Sequence, residues 1–125
     1  MIVPLFFYGT LLDAGIRTRV LSRTLSPRSM TDAILFDHVR EHVAGRAYPM
    51  LVRRQGCAVD GLLVRGLSPR DLDRLKAYEG PEYDLAPVTV QAGSRRIAAQ
   101  AYMAAPGIMS DGRLWTLEHW RHSQT

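Results

Sequence analysis

The stretch Leu5-Phe6-Phe7-Tyr8-Gly9-Thr10-Leu11-Leu12 constrains the chain most: an uninterrupted apolar run that breaks at Gly9 and resumes on the far side of a turn. A continuous run of β-formers suits a strand buried on both faces, so Ile2 to Phe7 is expected to be a central strand. Gly9 has access to backbone angles closed to other residues and lets main-chain N–H groups come close to a bound group. Thr10 adds a hydroxyl, and the first N–H groups of a following helix have no partner within it, so they can hold an anion. The same residues also describe a plain strand-ending turn; they gain meaning only with Glu79.

The run is uncharged from Met1 to Leu12, but it lacks a basic start and a small-residue cleavage site, and it is too short to span a bilayer. It is therefore expected to be a buried strand of a cytoplasmic protein, with no membrane partner. Cys57 is the only cysteine, which excludes an internal disulfide and a zinc site built on several thiolates. The 125 residues fit one domain, residues 1–125, able to bury its own core.

A net charge of +4 raises the question of nucleic acid. The basic residues are nearly all arginines, scattered singly or in pairs such as Arg53-Arg54 and Arg95-Arg96, and no recognition helix or RNA-binding aromatic motif accompanies them. They read as solvated surface, and nucleic acid is not expected as a partner.

Along the chain, a helix is expected from about Leu12 to Arg23, ended by Pro27 and its flanking serines. Strands follow at Ala33–Phe36 and Val59–Val64. Between them Tyr48-Pro49-Met50-Leu51-Val52 is apolar but interrupted by a proline. The next element is the best marked: Ser68 as N-cap, Pro69 in the first turn, Asp71 just after, and Gly80-Pro81 at the end. Within it Leu72, Leu75 and Glu79 share one face. A carboxylate on that apolar side, at a helix C-terminus, is pushed toward a higher pKa by desolvation and by the helix dipole. A general acid or base working near neutrality needs such a shift. The alternative is that Glu79 merely ends the stripe in water or beside an arginine.

Pro87–Val90 and Ile97–Met103 are expected to be strands joined around Gly93-Ser94. A loop over 104–112 and a terminal helix over 114–121 follow, with Trp115 and Trp120 as packing anchors. Strands outnumber helices without regular βαβ alternation. An α+β domain is expected, with a small mixed sheet curled into a barrel and helices on its flank. His38-Val39-Arg40-Glu41-His42 spells H-x-x-E-H, a zinc-peptidase signature, but its flanks are β-like and a glycine follows closely; no metal site is expected. No cofactor motif is present.

Taken together, Tyr8-Gly9-Thr10-Leu11, then Tyr48-Pro49-Met50-Leu51, then Glu79-Gly80 followed by Tyr83 and Pro87-Val88, resemble the γ-glutamylcyclotransferase-like superfamily. Trp115 and Trp120 resemble its short bacterial and plant branch named for avirulence-induced genes. The resemblance runs from Leu5 to Trp120 and implies conversion of a γ-glutamyl amine or dipeptide to 5-oxoproline and a free amine. It implies Glu79 as general acid/base and the Tyr8–Leu11 loop as the binder of the substrate, with Tyr48 and Tyr83 lining the pocket and no cofactor or metal. Many relatives have a basic residue two places after the tyrosine, where this chain has Leu85. The other reading is a protein of the same fold that binds a small metabolite without turning it over.

Overall fold

The computed structural model describes residues 3–124. Met1 and Ile2 lie outside that range, so the first strand is β1, Leu5–Phe7, and the Ile2 end of the expected strand is not covered. A short 3₁₀ turn, Thr10–Leu12, leads into α1, Ala14–Leu21. Two long strands follow, β2 (Met30–Val43) and β3 (Pro49–Val64), then α2 (Pro69–Glu79). Next come β4 (Tyr83–Ala92), β5 (Arg95–Ala104), β6 (Ser110–Leu114) and α3 (Leu117–Ser123).

Strands β3, β1, β5, β4 and β2 follow one another in the sheet, and β2 pairs back to β3, which closes five strands into a mixed barrel. The β1–β5 pairing is parallel, and the other pairings of the ring are antiparallel. β6 lies outside the ring, antiparallel to β2. The α+β architecture with a curled barrel and flanking helices is thus the one expected.

Alternation along β1 distributes its side chains between two cores. Phe6 and Tyr8 pack inside the barrel with Leu35, Val59, Leu63 and Val90. Leu5 and Phe7 face the other way, against Leu21 of α1 and Leu75 of α2. β3 crosses β1 closely at Gly61, where a Cβ would stand 2.3 Å from the Phe7 carbonyl oxygen, so only glycine fits.

The structure departs from the sequence expectation where strands are longer than their apolar cores. β2 runs through Asp37, which has φ 61° at a bulge between Phe36 and His38 and whose carboxylate accepts from the Gly56 N–H. β3 joins the two apolar segments through the charged stretch Arg53-Arg54-Gln55. Its proline is tolerated because Pro49 is the first residue of the strand. The H-x-x-E-H stretch lies in β2, where four residues span ~13 Å, so His38 and His42 do not share a helical face. Glu41 is instead buried in a pairing with Arg54 (2.8 Å) and Ser110 (2.6 Å). The terminal helix starts later than expected, at Leu117 with Thr116 as N-cap, so Trp115 precedes it. Trp115 is buried, and its indole N–H donates to the Ala47 carbonyl, pinning the β2–β3 loop. Among the described residues no helix is long and apolar enough to cross a membrane.

Candidate active site

α2 forms where its markers place it. Ser68 and Asp71 complete a capping box, Pro69 opens the helix, and Gly80 (φ 72°) closes it. Leu75 is fully buried and Leu72 packs beside it, so the apolar face meets the barrel wall and carries Glu79 inward at the last turn.

Glu79 lines a cavity of about 260 Å³ together with Tyr8, Gly9, Thr10, Leu11, Tyr48 and Tyr83. Every site residue expected from the sequence therefore faces this one space. Burial pushes the Glu79 carboxyl up to about 7, with no hydrogen bond from the described residues to offset it.

The opposite wall is the Gly9 turn. Its first internal hydrogen bonds run from the Leu12 N–H to the Gly9 carbonyl and from the Asp13 N–H to the Thr10 carbonyl, each 3.0 Å. The N–H groups of Gly9, Thr10 and Leu11 come before the first donor the turn uses. Gly9 has φ −116° and ψ −133°, outside the ordinary strand and helix regions, in keeping with its access to angles that other residues rarely take. Proximity also favours glycine here: a Cβ would lie 3.0 Å from the ring of Pro49, a tight contact.

Sequence reasoning missed three polar residues of the cavity, Tyr78, Glu82 and Tyr102. Tyr78 shares a 2.6 Å hydrogen bond with Thr10, joining the end of α2 to the turn. Its position beside Glu79 was the available signal. Tyr102 comes from β5, and its carbonyl accepts from the Tyr8 hydroxyl; the Tyr83 hydroxyl donates to the Pro49 carbonyl. Burial and then the nearby Glu79 charge raise the phenols of Tyr83 and Tyr102, the latter to about 12. These rings are neutral hydrogen-bonding walls at physiological pH. Leu85 is exposed on β4 and does not line the cavity.

Residues 5–122 match the model of the family described as "Gamma-glutamyl cyclotransferase, AIG2-like". The chain belongs to this family. AIG2-like protein A of Arabidopsis thaliana is 29% identical over 122 residues, covering 93% of this chain and 70% of the relative. A solution structure of another Arabidopsis thaliana protein superposes with a TM-score of 0.70 at 27% identity, covering 98% of this chain and 82% of that one. A solved gamma-glutamyl cyclotransferase shares the fold, with a TM-score of 0.65 at 18% identity over 86% of this chain and 69% of its own. In this member of the AIG2-like family the cavity lies between α2 and the turn after β1, with its polar groups supplied by two carboxylates, hydroxyls and main-chain N–H groups. Among the described residues no group of three or more His, Cys, Asp or Glu is arranged to hold a metal ion.

Proposed function

We propose that the chain is a γ-glutamyl cyclotransferase-type enzyme that converts a γ-glutamyl amine or dipeptide to 5-oxoproline and a free amine, with Glu79 as the general acid/base. The observation that carries this reading is a desolvated carboxyl, raised to about 7, in the same cavity as the Gly9 turn. The substrate's α-amine attacks its own γ-carbonyl carbon; one C–N bond forms, the original amide C–N bond breaks, and no water is consumed. Glu79 takes the proton from the attacking nitrogen and returns it to the departing amine, a role worth typically ~10²–10⁴ in rate. The N–H groups of the Tyr8–Leu11 segment receive the α-carboxylate or the developing oxyanion. Holding the amine against the carbonyl supplies the rest, and such positioning contributes about 7–11 kcal/mol in favourable cases.

The substrate supplies its own nucleophile, so the reading needs neither a reactive serine or cysteine nor a cofactor. Its partner is a small molecule rather than nucleic acid, and its setting a reducing cytoplasm, in keeping with the single free Cys57. The test is a panel of γ-glutamyl amines and dipeptides assayed for 5-oxoproline, with Glu79→Gln as the control. Product from wild type and its loss in Glu79→Gln are expected. Binding of a panel member with no product from any would replace the enzyme with a metabolite-binding protein.

A further inference from the structure

Among the described residues two arginines clamp the carbonyls of the Gly9 turn, and they act on different kinds of peptide. Arg17 donates to the Leu11 and Leu12 carbonyls at 3.0 and 3.2 Å. The N–H groups of those two peptides belong to Leu12 and Asp13, and both are already committed inside the turn, to the Gly9 and Thr10 carbonyls. Arg40 donates from Nη1 to the Tyr8 carbonyl at 3.0 Å. The N–H of that peptide belongs to Gly9, which lines the cavity and precedes the first donor the turn uses. Arg40 is the middle residue of the H-x-x-E-H stretch, and its backbone is fixed on both sides, by pairing with Leu51 of β3 and by a 3.1 Å hydrogen bond from the Trp115 N–H to its carbonyl. Its side chain stands outside the cavity wall, with further contacts to the Asp60 carbonyl at 3.3 Å and the Asp60 carboxylate at 3.4 Å. That carboxylate is 88% exposed, so water screens the pair, and the shortest contact of the guanidinium is the one to Tyr8.

A trans peptide is rigid, and its C=O and N–H point in opposite directions. Anchoring the Tyr8 carbonyl on the Arg40 side therefore turns the Gly9 N–H to the other side, where Gly9 lines the cavity. A charged donor on the carbonyl also draws electron density through the amide, which makes the N–H a stronger donor in its turn. The geometry points to Arg40 as a positioning residue that fixes and polarises the Tyr8–Gly9 peptide, so that the Gly9 N–H donates to an anionic oxygen of the bound substrate. Arg17 braces the turn without this effect, because the N–H groups of its peptides face the turn itself. The inference rests on the γ-glutamyl chemistry proposed above and adds to it a residue that touches no substrate.

The probe is γ-glutamyl-n-propylamide. Removing an oxyanion donor outright typically costs ~10²–10³ in rate, and weakening one costs less, so Arg40→Gln is expected to lower kcat/KM per folded molecule by about tenfold. Arg40→Lys, which keeps a cationic donor, should recover most of that loss. Arg17→Gln should lower the melting temperature and leave kcat/KM per folded molecule unchanged. A readout that needs no turnover is the Gly9 amide in ¹H–¹⁵N NMR spectra of the Glu79→Gln protein. A hydrogen bond at a peptide carbonyl deshields the nitrogen that follows, so the Gly9 nitrogen should move upfield when Arg40→Gln is added. Saturation with the probe should move the Gly9 proton downfield, and by less once Arg40→Gln is present.

A kcat/KM unchanged by Arg40→Gln, or lowered as much by Arg17→Gln, overturns the inference. So does a Gly9 amide that ignores the bound probe, a measurement made with Arg40 in place and therefore independent of whether Arg40→Gln folds. Failure of the probe to bind at millimolar concentration has the same consequence. Formation of 5-oxoproline with equal efficiency in wild type and Arg40→Gln would remove the positioning role and leave cyclotransfer standing. An Arg40-dependent shift of the Gly9 amide on binding, with no 5-oxoproline formed, would do the opposite.

Discussion

The two ends of α2 carry the same chemical group in opposite states. Asp71, in the first turn, is 1% exposed, yet its carboxylate is held well ionised. It accepts from Arg23 at 2.6 and 3.2 Å and from the Ser68 N–H at 2.8 Å. The Arg23 contact, followed by the Ser68 donors, lowers its pKa to about 2 despite burial. Glu79, in the last turn, is carried by the same helix into a space where it accepts no hydrogen bond from the described residues, and burial raises it to about 7. Burial sets the stakes in both places, and the supply of donors decides the outcome. A carboxylate whose lone pairs are satisfied holds structure, and one left without donors is available for proton transfer.

The largest effect expected from breaking this contrast falls on turnover. Glu79→Gln should lower kcat by ~10²–10⁴ with little change in the folded structure, seen as lost 5-oxoproline release alongside an unchanged circular dichroism spectrum. In wild type, kcat/KM should rise with pH through about 7 as the base form appears, and a profile flat across that range would remove Glu79 from the reaction.

Next in size is a stability effect. The folded-state pKa of Glu79 lies above its unfolded value of 4.5, so the folded protein binds the extra proton between pH 4.5 and about 7. Its contribution is complete below 4.5 and is lost as pH rises to 7, by about 3 kcal/mol in all. Urea melts at pH 4.5 and 8 should show this fall in wild type and not in Glu79→Gln.

At the other end of the helix the sign reverses. Asp71 contributes stability above pH 3.8 that is lost as pH falls through about 2. Asp71→Asn should cost about 2 kcal/mol at pH 7 while leaving activity per folded molecule intact, which separates the structural acid from the reactive one. The smallest effect is expected from Tyr78→Phe. Removing the hydroxyl shared with Thr10 should cost about 1 kcal/mol in denaturant melts, with a several-fold lower kcat if the bond also steadies the end of α2.

How far the sequence carried the reading follows from the range of each interaction. α2 was legible to the residue, because Ser68, Pro69, Asp71 and Gly80 act within four positions of the helix they start or stop. Glu79 was legible as an inward acid because helical period links it to Leu72 and Leu75. The partners of Asp71 were not, since Arg23 lies 48 residues earlier. Tyr102 reaches the cavity through closure of the barrel, which no local pattern encodes. The lengths of β2 and β3 escaped notice for a related cause: their outer halves are held by pairing with each other, as at His38 with Arg53 and Glu41 with Met50, so polar residues continue the strands. The sequence resemblance linked the distant blocks correctly to one family, though local physics joined only some of them.

Strand β1 finds its neighbours only in segments made much later, with Leu5 opposite Val64 on one side and Gln100 on the other. During synthesis its greasy residues must wait for β5, about 95 residues further along, to emerge before the ring can shut. The pocket cannot exist in a half-made chain: it is born whole with the last staves of the barrel, and truncation before β5 would leave the nascent amino end exposed to aggregation rather than a weakened enzyme.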